Sequence, residues 1–230
     1  MTRPNVIINS AMSADGKISS FERRQVRISS RADRARVDLL RAESDAVMVG
    51  VGTVLADDPG LRVKSADLRE ARRERGQPED PLRVVADSRA RTPPSARILG
   101  PGCIVAVSGS APQERRDRLT QMCDMCEIVV CGKERVDLHE LFSRLFDRGV
   151  RRLMVEGGAT LNWSLLNLGL VDELYVYMGA MLIGGEKAPT LVDGPGFKEH
   201  FPRLTLCSVE RLDEGVLLKW SLPGERPWIL

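Results

Sequence analysis

The sequence lacks the long apolar runs and the strong charge of either sign that mark membrane and nucleic-acid-binding proteins. No stretch approaches eighteen apolar residues, and the first residues, 1–5, have no apolar core of the signal-peptide type, so we expect a cytoplasmic protein with no membrane partner. The net charge of +2 is too small to indicate nucleic-acid binding, although it allows a local basic patch for a small anion. The length of 230 residues and the 43% hydrophobic content suit one globular domain, 1–230.

Cysteine and histidine are also scarce, with five and two residues respectively. An odd number of cysteines in a chain of this length argues against a disulfide framework, so we expect reduced thiols. Cys123 and Cys126 form a C-x-x-C pair, but no second pair of ligands at matching spacing accompanies it, and we expect packing residues and no metal. The His-x-Glu and Pro-Cys-x-x-Cys motifs of zinc deaminases are absent, which excludes a nucleobase deaminase.

Short apolar runs alternate with amphipathic stretches from Val6 to about Tyr177, which predicts an α/β fold with a mainly parallel sheet covered by helices. The predicted strands are 6–8, 46–49, 82–86, 103–107, 128–130 and 153–155, and the predicted helices are about 31–44, 112–122 and 138–148. Alternating segments at 173–178, 204–210 and 216–220 add antiparallel strands, and the last two flank a turn at 213–215 and form a hairpin. The charged segment 64–81 reads as an exposed loop or a short solvated helix.

The most informative junction is the run from Arg151 to Trp163, where an apolar strand, Gly157-Gly158 and the start of a helix follow one another. Adjacent glycines let the backbone come close to a ligand, and the helix start presents free N–H groups and a positive dipole end. The junction is typical either of a nucleotide-pyrophosphate site or of a plain tight turn.

Two further turns follow predicted strands, and each has a structural and a functional interpretation. Asp15-Gly16 is either a turn with a positive-φ glycine or an active-site loop at the end of the first strand. The segment 50–61 reads as a glycine-containing loop, because Leu55 occupies the third glycine position of a dinucleotide fingerprint. Asp57 and Asp58 suit either capping or catalysis, and Arg62 and Lys64 lie on one face if the chain is extended, which makes an anion patch.

A hydroxyl and two guanidinium groups come directly after the third strand, at Ser88, Arg89 and Arg91. Arginine offers paired donors that match phosphate oxygens, so this turn is either a ribose 2′-phosphate site or a solvated basic turn.

Four spaced motifs occur in order: Ser13 to Ile18 (S-A-D-G-K-I), Gly52 to Pro59 (G-T-V-L-A-D-D-P), Val85 to Ser88 (V-A-D-S) and Glu156 to Trp163 (E-G-G-A-T-L-N-W). In these the chain resembles the riboflavin-biosynthesis reductases, the archaeal and fungal 2,5-diamino-6-ribosylamino-4(3H)-pyrimidinone 5′-phosphate reductases, which are related to the carboxyl-terminal domain of the bacterial bifunctional deaminase-reductase. Residues 192–197 are similar to the archaeal version. The resemblance implies a dihydrofolate-reductase-like fold, NADPH as hydride donor and a homodimer. The apolar segments 174–178 and 180–183 are either the interface of that homodimer or simply core.

The resemblance also implies site residues by position. The residues that match the family's NADPH contacts are Ala11, Arg27, Thr53, Asp57, Ser88, Gly158, Ala159, Thr160, Leu161 and Asn162. The residues that match its contacts to the substrate and its phosphate are Gln25, Arg41, Leu61, Lys64 and Glu156. Lys64 stands where bacterial members usually have Arg, and Asn9 stands where many have a Lys, which leaves Asp57 and Glu156 as candidate general acids.

The expected activity is NADPH-dependent reduction of the ribosyl side chain of the diaminopyrimidine phosphate to a ribityl side chain. The alternatives are a paralogous reductase of the same fold that acts on another pterin-like or pyrimidine substrate, and a nucleotide-binding regulatory module without activity. Dependence on the 5′-phosphate distinguishes the first alternative, and NADPH binding without oxidation distinguishes the second.

Overall fold

A computed structural model describes residues 2–122, 126–199 and 201–222. Its strands are β1 (Asn5–Ser13), β2 (Ala46–Gly50), β3 (Leu82–Ala86), β4 (Cys103–Val107), β5 (Cys126–Val130), β6 (Arg152–Val155), β7 (Glu173–Gly179), β8 (Thr205–Leu212) and β9 (Gly215–Ser221). The helices are α1 (Arg31–Glu43), α2 (Val51–Asp57), α3 (Ala66–Glu74), α4 (Gln113–Met122), α5 (Leu138–Asp147) and α6 (Ala159–Asn167). The nine strands belong to a mixed, mostly parallel sheet, which confirms the predicted α/β class.

The chain divides into two compact units, so the single domain over 1–230 stays a prediction. The first unit comprises Met1–Pro4 and Asp38–Met154, and the second comprises Asn5–Val37 and Val155–Leu230. In the first unit β2, β3, β4 and β5 pair in parallel in that order. The apolar runs of β2, β3 and β4 are buried, as β-branched residues are when helices cover a parallel sheet, whereas in β5 only Val129 is buried.

In the second unit β1 pairs in parallel with β7, which pairs antiparallel with β9. β8 completes the hairpin with β9 around the predicted turn and lies at the edge of the sheet. A register shift between Leu206 and Ser208 leaves Cys207 as a bulge in β8. The carboxyl-terminal antiparallel hairpin is therefore confirmed.

α2 lies in a segment that was predicted as a loop, and α3 lies in the charged segment, where its presence confirms the second of the two predicted alternatives, a short helix. α2 occupies most of 50–61; it begins after Gly50 and ends at Asp57, and the next residue, Asp58, caps it in the left-handed region at φ +41°. α3 lies in the charged segment, where the Arg72 side chain is buried and donates to the carbonyl oxygens of Ala42 at 2.8 Å and Ser44 at 2.9 Å. A segment rich in charge is thus fixed by a buried arginine that satisfies the carboxyl-terminal end of α1.

Cysteine usage also differs in part from the expectation. Cys103, Cys131 and Cys207 are free thiols, and burial raises the pKa of Cys103 to about 11, which makes it unreactive. Cys126 is disulfide-bonded, so the prediction of a reduced packing residue is wrong there. Cys123 lies outside the described residues.

Candidate functional site

The glycine pair forms the predicted strand–turn–helix junction between β6 and α6. Gly157 has φ +99°, which side chains rarely adopt, although a Cβ there would meet nothing within 4 Å. The backbone conformation, and not a lack of space, therefore requires glycine at this position. Gly158 is the N-cap, and Ala159 to Asn162 form the first turn of α6. This turn presents the N–H groups and the positive end of a helix dipole that suit a phosphate.

Asn162, in the same turn, has one unsatisfied polar atom. Its side chain is fully buried, and its Nδ2 donates to the carbonyl oxygen of Leu191 at 2.9 Å. Its Oδ1 is buried and accepts no hydrogen bond within the described part of the chain. A buried acceptor without a donor costs folding free energy, so a ligand with an N–H or O–H group at this point would recover that cost.

The segment 190–197 packs against the first turns of α6, a contact that the sequence analysis did not foresee. The Asp193 N–H donates to the carbonyl oxygen of Ala159 at 3.2 Å. A Cβ on Gly194 would stand 2.3 Å from ring atoms of Trp163, so only glycine fits beside that indole. The archaeal-type sequence 192–197 thus supports the helix whose start carries the predicted cofactor residues.

Asp15 is an anchor, and not simply a turn residue. It accepts hydrogen bonds from Ser13 Oγ at 2.6 Å and from the N–H groups of Ile183 at 3.0 Å and Gly184 at 2.7 Å. These donors lower the pKa of Asp15 to about 2. Lys17 Nζ adds a bond of 3.0 Å to the carbonyl oxygen of Ala188. The S-A-D-G-K-I motif therefore holds the first loop of the second unit to the segment after β7.

The remaining predicted residues of the second unit are more accessible. Ala11 is half-buried near the carboxyl end of β1, and Glu156 is half-buried after β6. Gln25 and Arg27 are exposed in the loop between β1 and α1. Side chains in such a loop are available to a ligand, as binding residues on loops commonly are.

In the first unit, α2 carries Thr53 and Asp57, which are both half-buried. Burial raises the pKa of Asp57 above its ordinary value, which favours the protonated carboxylic acid. Asp58 has a structural role, because its Oδ1 accepts from the Arg97 N–H at 2.8 Å while it caps the helix. The two adjacent acids thus separate into one structural residue and one candidate proton donor.

The V-A-D-S motif forms the turn after β3. Asp87 is buried, and its Oδ2 accepts from the N–H of Thr92 at 2.6 Å and from its hydroxyl at 2.8 Å. Ser88 Oγ accepts from the Val136 N–H at 3.0 Å, which leaves the hydroxyl proton free to donate. Arg89 and Arg91 are exposed beside it. A hydroxyl donor and two exposed guanidinium groups therefore stand on one short turn.

The predicted phosphate residues come together through α1. Arg41 Nη1 donates to the carbonyl oxygen of Arg62 at 3.1 Å, and the Lys64 N–H donates to Asp38 Oδ1 at 2.7 Å. The side chains of Arg62 and Lys64 are exposed and that of Leu61 is buried, so the two cations share a face as predicted. The described part of the chain gives the Lys64 ammonium no carboxylate partner, so it is available to an anion.

Among the described helices, no segment is both long and apolar enough to cross a lipid bilayer.

The chain is similar to known proteins over nearly its whole length. Residues 4–218 match the family model of the RibD C-terminal domain. The chain is 51% identical, over 93% of its length and 95% of the relative, to the 2,5-diamino-6-ribosylamino-4(3H)-pyrimidinone 5′-phosphate reductase of Archaeoglobus fulgidus. The protein of the same name from Methanothermobacter thermautotrophicus is 45% identical, over 96% of this chain and 100% of the relative.

A solved structure supports the fold. A pyrimidine reductase-like protein from Corynebacterium diphtheriae gives a TM-score of 0.85 at 18% identity and covers 96% of this chain and 93% of that one. At this identity the likeness shows the fold alone. The family match and the two relatives show that the chain belongs to the RibD C-terminal domain family of riboflavin-biosynthesis reductases.

Proposed function

We propose that the chain is a cytoplasmic, NADPH-dependent reductase that converts the ribosyl side chain of 2,5-diamino-6-ribosylamino-4(3H)-pyrimidinone 5′-phosphate to a ribityl side chain. The observation that carries this proposal is the 51% identity, over 93% of the chain, to a protein named for that reaction. Membership in a reductase family implies a nicotinamide cofactor, and the choice of NADPH rests on the turn after β3.

The residues present suit such a cofactor. The start of α6 offers N–H groups to the pyrophosphate. Asn162 lies in the same turn, and its unsatisfied Oδ1 can accept a hydrogen bond from the ligand. Ser88, Arg89 and Arg91 offer a hydroxyl and two cations to a 2′-phosphate. Bound NADPH supplies a hydride, which is the part of the chemistry that no side chain provides.

The chain's own residues position the substrate and move a proton. Arg41 and Lys64 hold the 5′-phosphate, and this remote anchor fixes the ribosyl carbon in place. The ribosylamine ring opens to an imine, C1′ gains the hydride, and the nitrogen gains one proton. Asp57 and Glu156 are the candidate proton donors, and the raised pKa of Asp57 keeps more of its carboxyl group protonated.

A second copy of the chain is the proposed partner, and we place the contact at the apolar face of β8. Of the two apolar segments that indicated an interface, 174–178 is core, because Leu174, Val176 and Tyr177 are buried in β7 between β1 and β9. The segment 180–183 is not core, since Leu182 is 75% exposed. Two further exposed apolar side chains are on β8, where Leu206 and Val209 pair with Trp220 and Leu218 of β9.

The bulge at Cys207 places Leu206 and Val209 on the same face of β8, because Trp220 and Leu218 are two residues apart on β9. An edge strand with an apolar face is unfavourable in water, and pairing with a second copy would cover it.

Substrate comparison tests the proposed reaction. NADPH oxidation is followed with the diamino substrate, with its deaminated counterpart and with the diamino compound lacking the 5′-phosphate. We expect efficient turnover of the first, and a much higher KM for the compound without phosphate. Equal activity without the phosphate would favour a paralogous reductase, and NADPH binding without any oxidation would favour a regulatory module.

A further inference from the structure

The segment 61–65 joins α2 to α3 without helical or strand hydrogen bonding. Leu61 and Val63 are buried and Arg62 and Lys64 are exposed, so the side chains alternate between the core and solvent. Leu61 has φ +49°, a left-handed conformation that is uncommon for a branched residue. A segment of this kind keeps one shape only if its surroundings hold it.

Side chains supply that support, one backbone group at a time. Arg41 Nη1 donates to the carbonyl oxygen of residue 62, and Asp80 Oδ1 accepts from the N–H of residue 63 at 2.9 Å. Asp38 Oδ1 accepts from the N–H of residue 64 at 2.7 Å, and its Oδ2 accepts from the N–H of residue 65 at 2.8 Å. Each residue from 62 to 65 is thus held by a side chain.

Asp38 contributes the most, because both of its oxygens are used. It is 8% exposed, and hydrogen bonds between a carboxylate and backbone N–H groups are stronger than those between neutral groups. Asp38 also lies three residues before Arg41 on α1, which places the two on the same helix face. One helix face therefore carries the first phosphate cation, Arg41, and the carboxylate that fixes the backbone of the second, Lys64.

We propose that Asp38 is a positioning residue for substrate phosphate, and that it sets the place of the Lys64 ammonium relative to the Arg41 guanidinium. This inference rests on the proposed function, in which these two cations bind the 5′-phosphate. Asp38 does not touch the substrate. It acts because a flexible lysine provides an anchor only when its backbone is fixed, and the stem of Lys64 starts from an irregular segment.

Asp45 offers a matched control within the first unit. Its Oδ2 accepts from the N–H groups of Arg151 at 2.8 Å and Arg152 at 2.9 Å, so it too is a carboxylate that holds two consecutive backbone N–H groups. It holds the start of β6 and has no bond to the segment 61–65 in the described structure. Asp45→Ala therefore removes the same kind of interaction from a different place.

The experiment measures KM and kcat for the phosphorylated substrate and for its dephosphorylated form, the KM for NADPH, and the melting temperature. For Asp38→Ala we expect KM for the phosphorylated substrate to rise on the order of tenfold, because the anchor is misplaced. We expect the KM for the dephosphorylated form and for NADPH to stay unchanged, since only the phosphate contact is weakened. Asp45→Ala should lower the melting temperature and leave the preference for phosphate intact.

Asp38→Asn keeps one acceptor oxygen and gives a second measurement if the alanine variant does not fold; we expect an intermediate loss of phosphate preference. The inference would be overturned if Asp38→Ala changed the preference for the phosphorylated substrate no more than Asp45→Ala does. It would also be overturned if Asp38→Ala changed KM equally for both substrates. Arg41→Ala and Lys64→Ala test the proposed phosphate site itself, independently of the positioning role of Asp38. If both abolish the preference while the Asp38 variants keep it, only the positioning role fails; if neither changes it, the proposed phosphate site fails as well.

Discussion

Arg36 holds the side-chain oxygen of Asn9, because its Nη2 donates to Asn9 Oδ1 at 2.7 Å. A guanidinium has only donors, so the amide must turn its oxygen toward Arg36 and its amino group away. Asn9 is buried on β1, on the same strand face as Ala11. Asn9 is therefore fixed with its oxygen toward Arg36, and its amino group can only donate.

The same guanidinium forms a buried ion pair that we expect to dominate local stability. Arg36, 14% exposed in its side chain, donates to Asp33 Oδ1 from Nε at 2.9 Å and from Nη2 at 2.7 Å. Arg36→Ala leaves the Asp33 carboxylate buried without a counter-charge, which should lower the free energy of unfolding by about 3 kcal/mol. Denaturant titration measures this loss.

Arg34→Ala, in the exposed neighbour on α1, is the control and should change stability by less than about 0.5 kcal/mol. The double variant Asp33→Ala with Arg36→Ala should lose less than the sum of the two single variants. Additive losses would show that the pair is not coupled.

Asp57 gives a prediction in which stability and activity change in opposite directions. Its pKa is raised by burial, so the folded state holds its proton more tightly than the unfolded state, whose value is near 3.8. The resulting destabilisation is absent below that pH and fully present above the raised pKa. At pH 7 Asp57→Asn should therefore be at least as stable as the parent, while kcat should fall on the order of 100-fold if Asp57 donates the proton.

Asp58→Asn controls for the helix end, because asparagine tolerates the left-handed conformation, and kcat should stay close to that of the parent. A full kcat in Asp57→Asn together with a low kcat in Glu156→Gln would transfer the proton-donor role to Glu156.

Cofactor choice is predicted to depend on the turn after β3. Arg89→Ala or Arg91→Ala should weaken NADPH binding roughly tenfold or more and leave NADH binding nearly unchanged, because only NADPH has the 2′-phosphate. Arg97→Ala removes another exposed arginine from the same connection between β3 and β4 and should affect neither cofactor. Titration of each variant with both cofactors measures this, and equal weakening of NADPH and NADH would refute the assignment.

Two variants distinguish a dimer interface on β8 from an interface on the apolar segment 180–183, which follows β7. Val209 is 59% exposed on β8, and Leu182 is 75% exposed in the segment that follows β7. Val209→Glu places a charge on the apolar face of the hairpin and should give a monomer, whereas Leu182→Glu should stay dimeric. Light scattering at micromolar concentration gives the mass. A monomeric parent, or a monomer only with Leu182→Glu, would contradict the β8 interface.

Structural features that depend on residues close together in the sequence were predicted, and features that depend on contacts between distant residues were missed. Buried strands such as β4 follow from their β-branched runs, and the hairpin follows from its turn at 213–215. α2 was missed because its seven residues are too few to show a helical repeat and are flanked by glycine and proline, the usual signs of a loop.

Long-range contacts are the reason that other features escaped prediction. Arg72 is buried because it bonds to the end of α1, about thirty positions away. The residues near Arg72 in the sequence give no indication of this burial. The hydrogen bonds that Asp38 accepts from the backbone N–H groups of residues 64 and 65 were missed for the same reason. An aspartate within a helical repeat is expected to be exposed to solvent. The glycine pair before α6 was found because its chemistry is entirely local.

The position of the transferred hydride tests the proposed chemistry most directly. The closed ribosylamine has no electrophilic double bond, so reduction must pass through the opened form, an imine at C1′. Hydride addition at that carbon and protonation at nitrogen give the ribitylamine, and one NADPH is oxidised for each product. The proposed reaction acts on the diamino compound, so we expect this compound to be reduced before any deamination. With deuteride-labelled NADPH, product analysis by NMR should find one deuterium at C1′. Deuterium in the pyrimidine ring, or turnover with only the deaminated substrate, would show that this reaction is not the one the chain catalyses.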